Sequence, residues 1–136
     1  MNFDGTILIA DDEMHVRKYI SLLLGRIGHP VIVEAADGLA AVNLWRQVSP
    51  DLVLLDVNMP LLDGIGALAR IKASDCSMPV IMLTSLANRS TVEECARLGA
   101  TGFLRKDLPR EELIFELRRI IAAVFEPADP PVPPQP

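Results

Sequence analysis

Two cysteines, two histidines, one tryptophan and one tyrosine are all that this 136-residue chain holds of those residue types. Cys76 and Cys95 stand apart, without metal-ligand spacing and without a histidine cluster beside them, so a thiolate metal site is excluded and both thiols are expected to be buried or half-buried. Basic residues are also short: 13 Lys and Arg face 18 Asp and Glu, for a net charge of −5. That balance argues against direct nucleic acid binding by this chain, which would need a basic stripe. No apolar run approaches the ~18 residues of a membrane span. Met1 to Thr6 lack a basic region followed by an apolar stretch. The expectation is a cytoplasmic protein with no membrane contact. What the chain does have is a hydrophobic half and an ordinary charged fraction of 23%, the composition of a globular domain long enough to bury a real core.

Short β-branched runs alternate with stretches of helical period. The runs are Thr6 to Ala10, Val31 to Ala35, Asp51 to Val57, Pro79 to Thr84 and Thr101 to Leu104. Between the first two, Val16, Ile20, Leu23, Leu24 and Ile27 make the apolar stripe of an amphipathic helix, which Gly28 is expected to stop. Leu39, Val42 and Trp45 mark a second helix, Ile65, Leu68 and Ile71 a third, and Val92, Cys95 and Ala96 a fourth. Leu113, Leu117, Ile120, Ile121 and Val124 mark the last. Five strands each followed by a helix predict an α/β fold, a five-stranded parallel sheet with helices on both faces, because each crossover is right-handed. The run LVLL, apolar on both faces, suits the sheet centre.

From Glu126 the composition changes, and six of the eleven prolines fall between Pro127 and Pro136. A helix or a paired strand is excluded there. The reading is a domain over 1–125 and a proline-rich tail or linker over 126–136, expected to be extended or disordered.

Polar residues placed on this scaffold converge. Asp11 and Asp12 directly follow strand one, Asp56 ends strand three, Thr84 ends strand four and Lys106 follows strand five. In an open parallel sheet these strand ends share one edge, where ligands bind at the point at which the strand order reverses. Each residue alone has a bland explanation as a helix cap, a strand end or a solvated lysine; their common location reverses the odds. Three crowded carboxylates repel by about 1 kcal/mol per pair at 4 Å in water, and more where water is scarce. A hard divalent cation removes that penalty, and magnesium fits because it takes a few oxygen ligands and bridges carboxylates to phosphate. Lys106 adds a movable positive charge and Thr84 a hydroxyl donor. Such parts stabilise a phosphoryl group on a carboxylate, and the nucleophile is expected to be Asp56.

Over about residues 5 to 125 the sequence resembles the receiver domains of two-component response regulators. The motifs that carry the resemblance are ILIADDE at 7–13, LLDVNMPLLDG at 54–64, PVIMLTS at 79–85 and GATGFLRKD at 99–107. It implies the flavodoxin-like strand order 2-1-3-4-5 and a phosphohistidine donor on a sensor histidine kinase or phosphotransfer protein. It also implies that Asp11 and Asp12 hold magnesium with Asp56, the acceptor, and that Asn58 lends a backbone carbonyl to the metal. Thr84 and Lys106 then match the switch hydroxyl and the phosphate-binding lysine. Phe103 matches the aromatic that turns inward on activation, although an ordinary strand aromatic in the core explains it equally well. The implied protein is a phosphorylated signalling switch rather than a classical enzyme, one that assists its own phosphorylation and dephosphorylation.

One departure concerns Lys106, which most receivers follow with a proline in a cis peptide. Here Asp107 follows, and because a non-proline cis bond costs about 2.5 to 4 kcal/mol, a trans bond and a re-routed loop are expected. Lysine, aspartate, a proline and EEL resemble the receivers of DNA-binding regulators with a C-terminal helix-turn-helix. The alternative reading is therefore the receiver portion of such a regulator, whose output domain is absent from this chain. A phosphatase of the haloacid dehalogenase type would need a second aspartate two residues after the nucleophile, where Asn58 stands. A flavodoxin-like carrier would need a phosphate cradle after strand one, where Asp11, Asp12 and Glu13 would repel it. Finally, Phe115 points roughly 160° away from the core stripe of its helix, among Glu111, Glu112, Arg118, Arg119 and Ala122. It is the candidate anchor of a partner or homodimer surface on the face of helix four, strand five and helix five, where resembling receivers commonly signal. A single exposed aromatic without function is the alternative.

Overall fold

The computed structural model describes residues 3–85 and 88–126. Ten elements alternate strictly: β1 (Thr6–Ala10), α1 (Met14–Leu24), β2 (Val31–Ala35), α2 (Gly38–Val48), β3 (Leu52–Asp56), α3 (Gly64–Ser74), β4 (Val80–Thr84), α4 (Arg89–Arg97), β5 (Gly102–Arg105) and α5 (Arg110–Phe125). All strands pair in parallel in the order β2-β1-β3-β4-β5. The expected runs lie within a residue or two of the observed strands, and the first two coincide with them. Residues 127–136, on which the expectation of a proline-rich tail falls, lie outside the described residues.

Alternation along the strands sorts the side chains into two cores, because successive residues point to opposite faces. Ile7, Ile9, Leu52, Leu54, Ile81 and Leu83 meet α1 and α5 on one face. Their neighbours Leu8, Ala10, Val53, Leu55, Val80 and Met82 meet α2, α3 and Cys95 of α4 on the other. The central strands β3 and β4 are buried along their whole length, which is why they read as unbroken apolar runs.

Several sequence expectations shift. Helix α1 ends at Leu24, not at Gly28, and Ile27 is buried beyond its end. Gly28 has another duty: it bridges to Phe3, and a Cβ there would stand 2.2 Å from the Phe3 carbonyl oxygen. Phe3 in turn stacks at a tilt on Phe125, with ring centroids 4.8 Å apart, so the start of the described chain is fastened to the end of α5. Leu39 and Ala96 are exposed rather than core, while Ala41 and Ile114 are buried instead. Cys95 is buried as expected and burial pushes its thiol pKa up, whereas Cys76 is exposed, because it follows the end of α3 in an open turn.

Candidate functional site

The register of the sheet assembles the site. Ala10 pairs with Leu55, so Asp11 and Asp56, one residue further along β1 and β3, sit side by side where the order reverses. Asp56 pairs with Leu83 and Thr84 with Arg105, which brings Thr84 and Lys106 to the same edge. The Lys106 N–H donates to the Thr84 carbonyl at 2.9 Å, continuing the ladder past β5.

One carboxylate oxygen from each of Asp11, Asp12 and Asp56 lies within 4.8 Å of the other two. Asp11 and Asp56 are buried and Asp12 is exposed, so the cluster opens to solvent on the Asp12 side. There a shallow hollow is lined by Asp12, Asn58, Met59, Pro60 and Asp63. Lys106 reaches over both buried acids, with Nζ 2.9 Å from Asp11 Oδ2 and 3.3 Å from Asp56 Oδ1. The Asp56 carboxyl is pushed up to about 6, first by burial and then by the charge of Asp11, against the opposing pull of Lys106 and of the Asn58 N–H. Burial pulls the Lys106 ammonium down, but its hydrogen bond to Asp11 and the charges of Asp56 and Asp11 outweigh that, so its pKa is raised overall. The acids are thus short of positive charge even with Lys106 present. Oxygen-only donors, an open side and a carboxyl whose pKa is raised by burial and then by a like charge fit a small hard divalent cation.

Backbone geometry explains why these side chains stay in place. The loop from Asp56 to α3 folds back so closely that a Cβ on Gly64 would stand 2.0 Å from the Asp56 carbonyl oxygen. The Gly64 N–H donates to Val57 O at 2.8 Å, and Asp63 caps α3 by accepting from the Gly66 N–H at 2.7 Å. Leu61, in the same loop, takes a left-handed conformation with φ 69°, and nothing in a leucine announces that. Among the described residues no cis peptide occurs, so the Lys106–Asp107 bond is trans as expected. A turn follows it, in which Arg105 grips Asp107 through two hydrogen bonds. The turn moves Asp107 outward and leaves Lys106 over the acids.

Thr84 is buried at the end of β4, and Asn58 is exposed beside Asp56. Phe103 is half-buried in β5, against the α2–α3 core. Phe115 is 64% exposed on α5 and shares a surface hollow with Phe103, Leu104, Arg105, Leu108 and the acids Glu112 and Glu116. Arg17 escaped sequence reasoning. It contacts the backbone beside the acidic cluster (Nη1 to Asp11 O, 2.7 Å) and the side chain of Glu34 (Nε to Oε1, 3.0 Å). Its position on α1, six residues after Asp11, could have been flagged only by asking which cation covers the first turn.

A parallel five-stranded sheet in this order, with an acidic cluster at its reversal point, is a doubly wound α/β fold with a candidate cation site where such folds bind ligands. Comparison with known proteins makes this specific. The model of the response regulator receiver domain matches residues 7–118, and the chain belongs to that family. It is 35% identical over 113 residues to the chemotaxis protein CheY of Listeria monocytogenes, covering 83% of this chain and 95% of the relative. It is 38% identical over 115 residues to "Probable transcriptional regulator ycf27" of Guillardia theta, covering 85% of this chain but only 44% of that regulator. Among solved structures, the CheX-CheY-BeF3-Mg+2 complex from Borrelia burgdorferi superposes with a TM-score of 0.80 at 32% identity, over 88% of each chain. The protein is thus a receiver domain of the two-component response regulators, a signalling switch rather than a classical enzyme. Among the described residues, no helix is long and apolar enough to cross a membrane.

Proposed function

We propose that Asp56 accepts a phosphoryl group from a phosphohistidine on a sensor histidine kinase or phosphotransfer protein. The observation that carries this is the placement of the Asp56 carboxylate between a cation, Lys106, and two further acids within 4.8 Å. In the transfer, an Asp56 oxygen forms the new bond to phosphorus while the bond to the donor nitrogen breaks, and the imidazole keeps that electron pair. Magnesium is the cofactor, with Asp11, Asp12, Asp56 and the Asn58 backbone carbonyl as its protein ligands. When bound it neutralises charge on the carboxylates and on the incoming phosphoryl oxygens. The beryllofluoride and magnesium named for the Borrelia complex support that assignment for a fold this similar. Lys106 and Thr84 hold the phosphoryl oxygens afterwards, and the same groups let the domain assist both its own phosphorylation and its dephosphorylation.

The output follows from Thr84 moving toward the new charge and Phe103 turning inward, which reshapes the α4–β5–α5 face for a downstream partner or a second copy. Phe115 is the anchor of that face, supported by the hollow it shares with Phe103. The receiver spans residues 1–125, residues 126–136 act as a tail or linker, and the setting is the cytoplasm. A second reading, the receiver of a helix-turn-helix DNA-binding regulator, is favoured by the run from Lys106 to Leu113 and by the 44% of the Guillardia regulator that the chain spans.

The test is Asp56→Asn, which preserves shape and removes the nucleophile. With magnesium and a labelled acyl phosphate donor, the variant is expected to take up no label while its far-UV circular dichroism matches the parent. Labelling at the parent's level would overturn the assignment of Asp56.

A further inference from the structure

We infer that Arg17 is a positioning residue for the acidic cluster: its guanidinium fixes the peptide between Asp11 and Asp12, and through it the aim of the Asp12 carboxylate. This deepens the proposed function and rests on its magnesium reading.

Every polar backbone and side-chain group of Asp11 is engaged. Its N–H donates to Ala35 O at 3.1 Å, one carboxylate oxygen accepts from the Glu13 N–H at 2.9 Å, and the other accepts from Lys106. The remaining group is its carbonyl oxygen, which accepts from Arg17 Nη1 at 2.7 Å. That carbonyl shares a rigid plane with the Asp12 N–H, so the direction in which Arg17 holds it sets the position of the Asp12 Cα. Among the described residues, no hydrogen bond or ion pair reaches the Asp12 carboxylate, so its aim depends on the backbone beneath it. A further strut, behind Arg17, comes from β2. Glu34 accepts from Arg17 Nε at 3.0 Å through one oxygen and from Lys18 at 2.7 Å through the other, and Lys18 chiefly, then Arg17, hold the Glu34 carboxyl below its usual range.

Charge and geometry both point to positioning and not to simple surface pairing. The Arg17 side chain is only 13% exposed, so its two bonds are screened less than surface ones. A guanidinium presents several donors in one plane and can hold Glu34 and the Asp11 carbonyl together, whereas the compact ammonium of lysine sits on a different stem and cannot reproduce that fork. Arg17 touches none of the reacting atoms and acts through the Asp11–Asp12 peptide.

The experiment is a thermodynamic cycle on the full chain with magnesium alone as probe, measured by calorimetric titration. Arg17→Lys keeps the charge and loses the fork. It is expected to weaken magnesium binding about tenfold, and Asp12→Ala to weaken it as well. In the Asp12→Ala background, adding Arg17→Lys should cost less than threefold more, because the carboxylate it aims is gone. Thermal midpoints of all four proteins report the purely structural cost, which should be the same in both backgrounds. A full tenfold loss in both backgrounds, or unchanged magnesium affinity in Arg17→Lys, would overturn the positioning role. If the parent itself bound no magnesium, the proposed function would fail at its root and the inference with it.

Discussion

At the scale of single residues, the buried carboxyl of Asp56 costs the fold stability at neutral pH. Its carboxyl is pushed up to about 6 by burial and by Asp11, against an ordinary value of about 3.9 in an unfolded chain. The folded state therefore holds a proton that the unfolded state has released over the window from about 4 to about 6. Such a group contributes stability that is fully present below the unfolded pKa and is lost as pH rises through the folded one. The two-unit difference corresponds to up to about 3 kcal/mol at pH 7, since each unit is about 1.36 kcal/mol. In metal-free buffer, Asp56→Asn is expected to be more stable than the parent at pH 7 by a part of that amount, with the gap closing below pH 4. Urea denaturation of both proteins at pH 4 and pH 7 checks this, and a gap independent of pH would contradict it. Asp11, Asp12, Asp56, Thr84 and Lys106 were legible in the sequence because each adjoins the C-terminal end of a readable strand. Arg17 and the left-handed Leu61 were not, since a backbone carbonyl partner and a positive φ leave no mark in the identity of an arginine or a leucine.

At the scale of elements, the candidate site draws from the ends of β1, β3, β4 and the turn after β5. Strands were legible almost to the residue because short apolar runs, buried on both faces at the sheet centre, are bounded by turn residues and alternate with stretches of helical period. Helix ends were less so: the apolar stripe of α1 continues to Ile27 although its helix stops at Leu24, because burial beyond the last turn satisfies the same pattern. The switching proposal belongs to this scale, since Thr84 closes β4 and its carbonyl receives the Lys106 N–H from the turn after β5. Each hydrogen bond to a charged group contributes about 1.5 to 3 kcal/mol. Two of them supply roughly 3 to 6 kcal/mol, mostly short of the roughly 5.5 kcal/mol that carries an equilibrium from 1:99 to 99:1. Thr84→Ala is expected to take up phosphoryl label yet shift only partway, which fluorine NMR of a labelled Phe103 in the beryllofluoride-bound state can read. A full shift in that variant would remove Thr84 from the switch.

At the scale of the whole molecule, the proposed function asks for two surfaces. The C-terminal edge of the strands gathers the acids, while on β5 and α5 Phe103 and Phe115 share one hollow with Glu112 and Glu116. Phe115→Ala is expected to lower phosphate-mimic-dependent association, with itself or a partner, at least tenfold without changing Asp56 labelling. Analytical ultracentrifugation with and without beryllofluoride measures the self-association arm, and a partner titration measures the other; unchanged association in both would leave Phe115 an ordinary exposed ring. The Phe3–Phe125 contact and the Gly28 bridge have a further consequence. They moor the first described residues and the end of α5 at the far edge of the sheet, a strand of five residues, roughly 17 Å, from Asp56. Cargo tethered at Glu126 would hang behind the domain like a load on a tow-line, leaving the approach to the acids clear for an incoming donor.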